Sequence, residues 1–161
     1  LYYQLSMKKL KCFLIFLFLS SCGYSPIYQS NQEPNYRLDI VEYTGDKEIN
    51  RSIMRGIGRL TQNVSNNVLS TKFNTSKRES VVSKDKKGNA SSYKITIVVD
   101  LYLDNKSINK NFEKRFMKET IYNSMENKFE LSQYKKNLEK NMISQILQDI
   151  NIFLSILEND L

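Results

Sequence analysis

From Tyr93 to Asp104 the chain alternates without a break. Tyr93, Ile95, Ile97, Val99, Leu101 and Leu103 fall on one side, and Lys94, Thr96, Val98, Asp100, Tyr102 and Asp104 on the other. A period of two sends successive side chains to opposite faces of a strand, so this segment carries one apolar face that something else must cover. Such a strand also needs neighbours to pair with. The flanks supply them. Asp85-Lys86-Lys87-Gly88-Asn89 has the composition of a turn, and Lys77–Lys84, with Val81 and Val82, is a strand candidate on its near side. Asp104-Asn105-Lys106 turns the chain back on the far side. Asn109–Tyr122 then reads as a partner strand with Phe112 and Phe116 on one side. Its Glu113, Lys114, Arg115, Lys118 and Glu119 predict a wet outer face.

Two segments show the helical period instead. In Glu48–Leu69, Ile49, Ile53, Ile57, Leu60, Val64 and Val68 recur at spacings of four and three, a single apolar stripe. Gly56 and Gly58 weaken the middle of that helix by about 1 kcal/mol each against Ala, or allow close packing on a sheet. Phe129–Leu157 is the longer helix. Leu131, Tyr134, Leu138, Met142, Ile146, Ile150, Phe153 and Leu157 form its stripe, widened by Ile143, Leu147 and Leu154. Lys135, Lys136 and Lys140 read as its wet face. Upstream, Tyr36–Val41 alternates as a short strand that Thr44-Gly45-Asp46 ends. The order is therefore β-α-β-β-β-α. It predicts an α+β domain over residues 36–161, an antiparallel sheet of about four strands with two amphipathic helices on one face.

The N-terminus reads as an address. From Met7, taken as the natural start, the sequence is MKKLKCFLIFLFLSSC, a basic start, the apolar run Phe13–Leu19, then small residues up to Cys22. A membrane-spanning helix needs about 20 apolar residues, whereas the apolar core of a signal peptide needs roughly 7–15. Leu19-Ser20-Ser21-Cys22 resembles the bacterial lipobox, whose Cys thiol receives diacylglycerol and becomes the new N-terminus. Residues 1–21 are accordingly expected to be a lipoprotein signal peptide. Cys22 is the expected lipidation site, joining the chain to outer-membrane lipid, and residues 22–35 form a tether carrying Pro26 and Pro34. Gly23 and Tyr24 follow Cys22 where inner-membrane retention would call for Asp. By resemblance to Gram-negative lipoproteins this points to the periplasmic face of the outer membrane.

The remaining composition removes several functions. There is no His and no Trp, and both cysteines, Cys12 and Cys22, lie in the first 22 positions. A His-based triad, a His/Cys zinc site and a disulfide-stapled core are excluded. No catalytic residue, metal or cofactor is expected, and the chain does not read as an enzyme. Losing residues 1–21 takes Lys8, Lys9 and Lys11 from the 24 basic groups and none from the 17 acidic ones, so the net charge falls from +7 to +4. That excess is spread along the chain and is too small for a nucleic-acid partner.

Two short motifs then carry a family resemblance. Cys22-Gly23-Tyr24-Ser25-Pro26-Ile27-Tyr28 resembles the CG[FY]xPLY start of the alphaproteobacterial LptE family of lipopolysaccharide-assembly lipoproteins. Glu119-Thr120-Ile121-Tyr122-Asn123-Ser124-Met125-Glu126-Asn127 looks like that family's TSYNxxDNxYA junction between strand and helix, with Lys128 departing from its usual Pro or small residue. The element order agrees as well. The resemblance implies a plug and assembly partner for an LptD-type outer-membrane β-barrel, taking part in the insertion of lipopolysaccharide, with no bond made or broken. Lipid A carries phosphates, and Lys84, Lys86 and Lys87 crowd a predicted hairpin tip where ammonium groups meet phosphate at little desolvation cost. The alternative is an outer-membrane lipoprotein serving as pilot or accessory subunit of a different barrel or a secretin.

Overall fold

The structure, a computed structural model, describes residues 35–62 and 64–157. The expected signal peptide, Cys22 and the expected tether up to Pro34 lie outside the described residues. The elements run β1 (Arg37–Gly45), α1 (Lys47–Gly56), α2 (Gly58–Thr61), β2 (Val68–Lys84), β3 (Ala90–Asn105), β4 (Lys110–Asn123) and α3 (Lys128–Leu157). The α+β order expected from the sequence holds. The four strands form one sheet in the order β1-β2-β3-β4. β2–β3 and β3–β4 are antiparallel, while β1 and β2 are parallel. A parallel neighbour needs a crossover rather than a tight turn, and α1 and α2 supply it.

Local chemistry sets the ends of α1. Gly45 has φ +99° and lies so close to β2 that a Cβ would strike the Thr75 carbonyl oxygen at 1.8 Å. Asp46 then caps the helix, its Oδ1 accepting from Glu48 N and Ile49 N, both at 3.0 Å. The helix expected over Glu48–Leu69 stops at Gly56. Val64 is exposed, and Val68 and Leu69 open β2. The stripe ran on in the sequence because Val64 and Val68 keep the spacing of four by coincidence. Gly56 packs against a helix, not a sheet: a Cβ there would lie 2.4 Å from Leu147 Cδ2 of α3. β2 is also much longer than the Lys77–Lys84 read from the sequence.

The core lies between the sheet and the helices. Leu38, Leu69, Phe73, Ile95, Ile97, Val99, Leu101, Leu103 and Phe116 meet Ile49, Ile53 and Ile57 of α1 and Met142, Ile146, Ile150, Leu154 and Leu157 of α3. The inward face expected for β3 is the buried one. At the crossover, Thr75 Oγ1 donates to Asn50 Oδ1 at 2.6 Å and Asn50 Nδ2 to Thr44 O at 3.2 Å. This buried polar knot satisfies both residues and fixes where β1 leaves β2.

Candidate anion-binding site

The β2–β3 hairpin carries the candidate residues at its end. Lys84 closes β2, and Lys86 and Lys87 follow in the turn to β3. Asp85 organises that turn. Its Oδ1 accepts from Lys87 N (2.8 Å) and Asn89 N (2.9 Å), and its Oδ2 from Asn89 Nδ2 (3.2 Å). Asp85 N donates to Asn89 O at 2.8 Å, and Gly88 takes φ +85° to complete the reversal. The bonds from Asn89, with those from the Lys87 and Gly88 amides, hold the Asp85 carboxyl below its ordinary value. The carboxylate is thus occupied by local donors. All three lysines are exposed, and their ammonium groups form no ion pair among the described residues. The structure brings the expected residues together on one turn, with their cations outward.

What braces the hairpin was only partly visible in the sequence. Beyond Thr75 the inward-facing residues of β2 include Lys77 and Glu79, and α3 answers them with charge. Lys77 Nζ meets Glu139 Oε2 at 3.0 Å, and Lys135 Nζ meets Glu79 Oε2 at 2.6 Å. Tyr122 Oη donates to Glu79 Oε1 at 2.7 Å. The Tyr122 ring stacks on Tyr93 at 5.4 Å, and Lys135 lies over it at 5.6 Å from its centre. Burial, then the bond to the Glu79 carboxylate, pushes the Tyr122 hydroxyl up to about 12. Burial alone would raise Glu79. The bonds from Lys135 and Tyr122 outweigh it and leave the carboxyl below its ordinary value. Lys135 therefore does not belong to the wet face of α3, whereas Lys136 and Lys140 do. The signal was present: Leu131, Lys135, Leu138 and Met142 keep the stripe spacing, which puts Lys135 on the packed side.

The other face of the sheet is covered by no described element. Three of its cations are matched to acids across strands: Lys72–Glu42 at 2.9 Å, Lys94–Glu119 at 3.6 Å, and Arg115 on Asp100 through two bonds of 2.6 and 3.0 Å. Val41, Tyr102, Met117 and Ile121 stand exposed among them. A groove of about 990 Å³ lies at the end away from the lysine tip, bounded by Val41, Lys72, Tyr102, Phe112 and Glu113 among others.

No family model matches this chain, and no curated protein matches it either. Solved structures do. The rare lipoprotein B from Shewanella oneidensis superimposes with a TM-score of 0.53 at 17% identity, over 74% of this chain and 99% of that one. A minor lipoprotein from Acinetobacter baumannii gives a TM-score of 0.51 at 9% identity, over 71% of this chain and 90% of that one. At these identities the likeness is one of fold: this chain is built as those lipoproteins are.

Proposed function

We propose that the protein is an outer-membrane lipoprotein, anchored through acylated Cys22, that plugs an LptD-type β-barrel, assists its assembly and takes part in lipopolysaccharide insertion. It works by binding rather than by catalysis. The observation that carries this reading is the β-α-β-β-β-α fold, shared with lipoproteins and standing behind a lipobox. Two further features support it. The uncovered sheet face, rich in charge and with Lys72, Lys94 and Arg115 paired across strands, suits the polar interior of a large barrel. The tip of Lys84, Lys86 and Lys87 suits the phosphates of lipid A.

Affinity isolation of the lipidated chain from outer membranes tests the reading directly. An LptD-type barrel as the stable partner is expected; a secretin or another barrel would select the accessory-subunit alternative instead. The anchor has its own test. Cys22→Ala should abolish palmitate labelling and leave the precursor uncleaved, since processing follows thiol modification, and label retained on the variant would overturn lipidation at this position.

A further inference from the structure

β1 pairs with β2 only as far as Gly45 and Thr75, and β2 runs on to Lys84 with β3 beside it. Within a strand the N–H and C=O of one residue point to the same side, and the side alternates along the chain. Thr75 O accepts from Asp46 N at 3.2 Å, so the backbone groups of Thr75 face the β1 side. Lys77, Glu79 and Val81 therefore aim theirs at the place β1 has left, while Ser76, Arg78 and Ser80 aim theirs at Val98, Thr96 and Lys94 of β3. No described strand fills that place. The usual guards of a free edge include a proline, a bulge or an inward-pointing charge. Residues 76–84 contain no proline, and the first irregularity in the ladder with β3 comes after Val81. The inward Lys77 and Glu79 are already matched by Glu139 and Lys135 of α3.

The charges on either side of this edge say what belongs there. On the open face, Lys72 meets Glu42 of β1 at 2.9 Å across the strands. Arg78 stands on that face past the end of β1, exposed and opposite Thr96, with no ion pair among the described residues. It lacks the acid that β1 gives Lys72. On the helix face, a cleft of about 360 Å³ opens between β2, the start of α1 and the first turns of α3. Lys77, Lys128, Lys135 and Lys136 line it against Glu48 and Glu139. Lys77 and Lys135 are paired, but Lys128 and Lys136 are exposed and form no ion pair among the described residues. Both faces beside the free edge thus offer cations to an incoming acid.

We propose that this edge of β2 accepts a fifth strand, an extended acidic segment of the barrel partner, with one carboxylate facing Arg78 and alternate side chains entering the lysine-lined cleft. This rests on the barrel-plug reading above and says which edge the partner takes. Main-chain bonds to Lys77, Glu79 and Val81 supply affinity, and the alternating side chains supply selectivity. A second copy laid antiparallel on the same edge does not meet the requirement. Glu79 is the only acid in residues 76–84, and it lies on the helix face, bonded to Lys135.

The test uses the full lipidated chain, alone and in complex with an LptD-type barrel from the same outer membranes, and reads amide hydrogen exchange. In the chain alone, the amides of Lys77, Glu79 and Val81 should exchange faster than those of Ser76, Arg78 and Ser80. In the complex the first three should become as protected as the others. Val81→Pro removes an N–H that β3 does not use, so it should unfold close to the unaltered chain and lose barrel affinity by about tenfold. Arg78→Glu leaves the backbone donors in place and should weaken binding by a similar factor, more at low salt than at high. If the barrel is held while those three amides stay fast and both variants keep full affinity, strand addition is overturned and the plug reading stands. If no LptD-type barrel is held, both fail together. Protection of the same amides in the chain alone, rising with its concentration, would give the edge to a second copy and overturn the proposal as well.

Discussion

In the first half of β2, from Val68 to Thr75, the residues Leu69, Thr71, Phe73 and Thr75 are buried, and β1 pairs alongside. From Ser76 to Lys84 every residue is exposed, β1 has turned away, and the inward positions include Lys77 and Glu79. The long helix divides in the same way. Its buried residues are Met142, Ile146, Ile150, Leu154 and Leu157, whereas its first part meets the hairpin through Lys135 and Glu139. Within β2, one half is thus held by apolar burial and the other by a polar latch that salt screens and pH titrates, while its partner β3 stays apolar on the inner face through Ile95 and Ile97. A hairpin projecting past its core has no second sheet to bury against. Charges reaching from the helix let it extend without an apolar surface that would aggregate.

The largest effect should separate two neighbouring positions in β3. Val99 and Ile97 are both fully buried, but Val99 stands between Thr75 and Phe116, while Ile97 stands between Lys77 and Lys118. Val99→Asp buries a carboxylate with no cation beside it, at a cost of several kcal/mol against a typical total of about 5–15. That variant should not accumulate as folded protein. Ile97→Asp buries the same group beside two ammonium groups already paired with Glu139 and Asp149 of α3, whose partial sharing should let it fold with a lowered melting temperature. Lys94→Asp, on the open face, should unfold close to the unaltered chain. Soluble yield and thermal unfolding of the three variants decide the order. Equal damage at 97 and 99 would show that the latch cations do not reach the strand they flank.

A smaller effect should come from the latch itself. Glu79→Gln, Lys135→Met and the double variant form a cycle whose coupling should be about 0.5–1.5 kcal/mol, because the pair is partly exposed and screened. Hydrogen exchange should place the loss in the amides of Ser76–Lys84 and leave Val68–Thr75 protected. The pH dependence has a definite sign at each end. Glu79 is depressed in the folded chain, so its contribution is present above the unfolded carboxyl value near ~4.3 and is lost as pH falls through the lower folded value. Tyr122 is raised to about 12. Its contribution is complete below the unfolded value of about 10 and is lost as pH climbs through the folded one. Glu79→Gln should flatten the acid limb and Tyr122→Phe the alkaline limb of stability against pH, measured by denaturant unfolding.

The same division explains what could be read from the sequence. β3 was legible because one face is apolar from Tyr93 to Leu103 and burial follows that alternation. The first half of β2 was not. Leu69 and Phe73 are its only large apolar residues, and Thr71 and Thr75 are buried without an apolar signature, Thr75 by bonding to Asn50. The latch was hidden for the opposite reason, since Lys77 and Glu79 look like solvated charges until the helix and strand are brought together, and only the stripe spacing of Lys135 pointed to it. The three tip lysines were legible because a turn needs only local chemistry, here Asp85, Gly88 and Asn89. Their distance from the start of the domain was not, because it depends on the true length of β2.

Changes at the tip should leave stability alone and move binding. Replacing Lys84, Lys86 and Lys87 together by Ser should weaken phosphate-lipid binding by roughly 10- to 100-fold at low salt, with the melting temperature unchanged because the side chains pack on nothing. The gap should narrow as salt rises. The smallest and cleanest effect is expected from Asp85→Asn. The amide oxygen can still accept from the backbone N–H groups of Lys87 and Asn89, so the reversal and the positions of the lysines persist. The bond given up is the one from Asn89 Nδ2 to Oδ2. The carboxylate's charge disappears, and the turn goes from three cations and one anion to three cations alone. Phosphate-lipid binding at neutral pH should tighten by about two- to three-fold at low salt, and this gain should vanish in high salt. Vesicle sedimentation with phosphatidic acid measures it. Weaker binding by Asp85→Asn would mean that the shape of the turn, set by the carboxylate, matters more to the anion than the charge it subtracts.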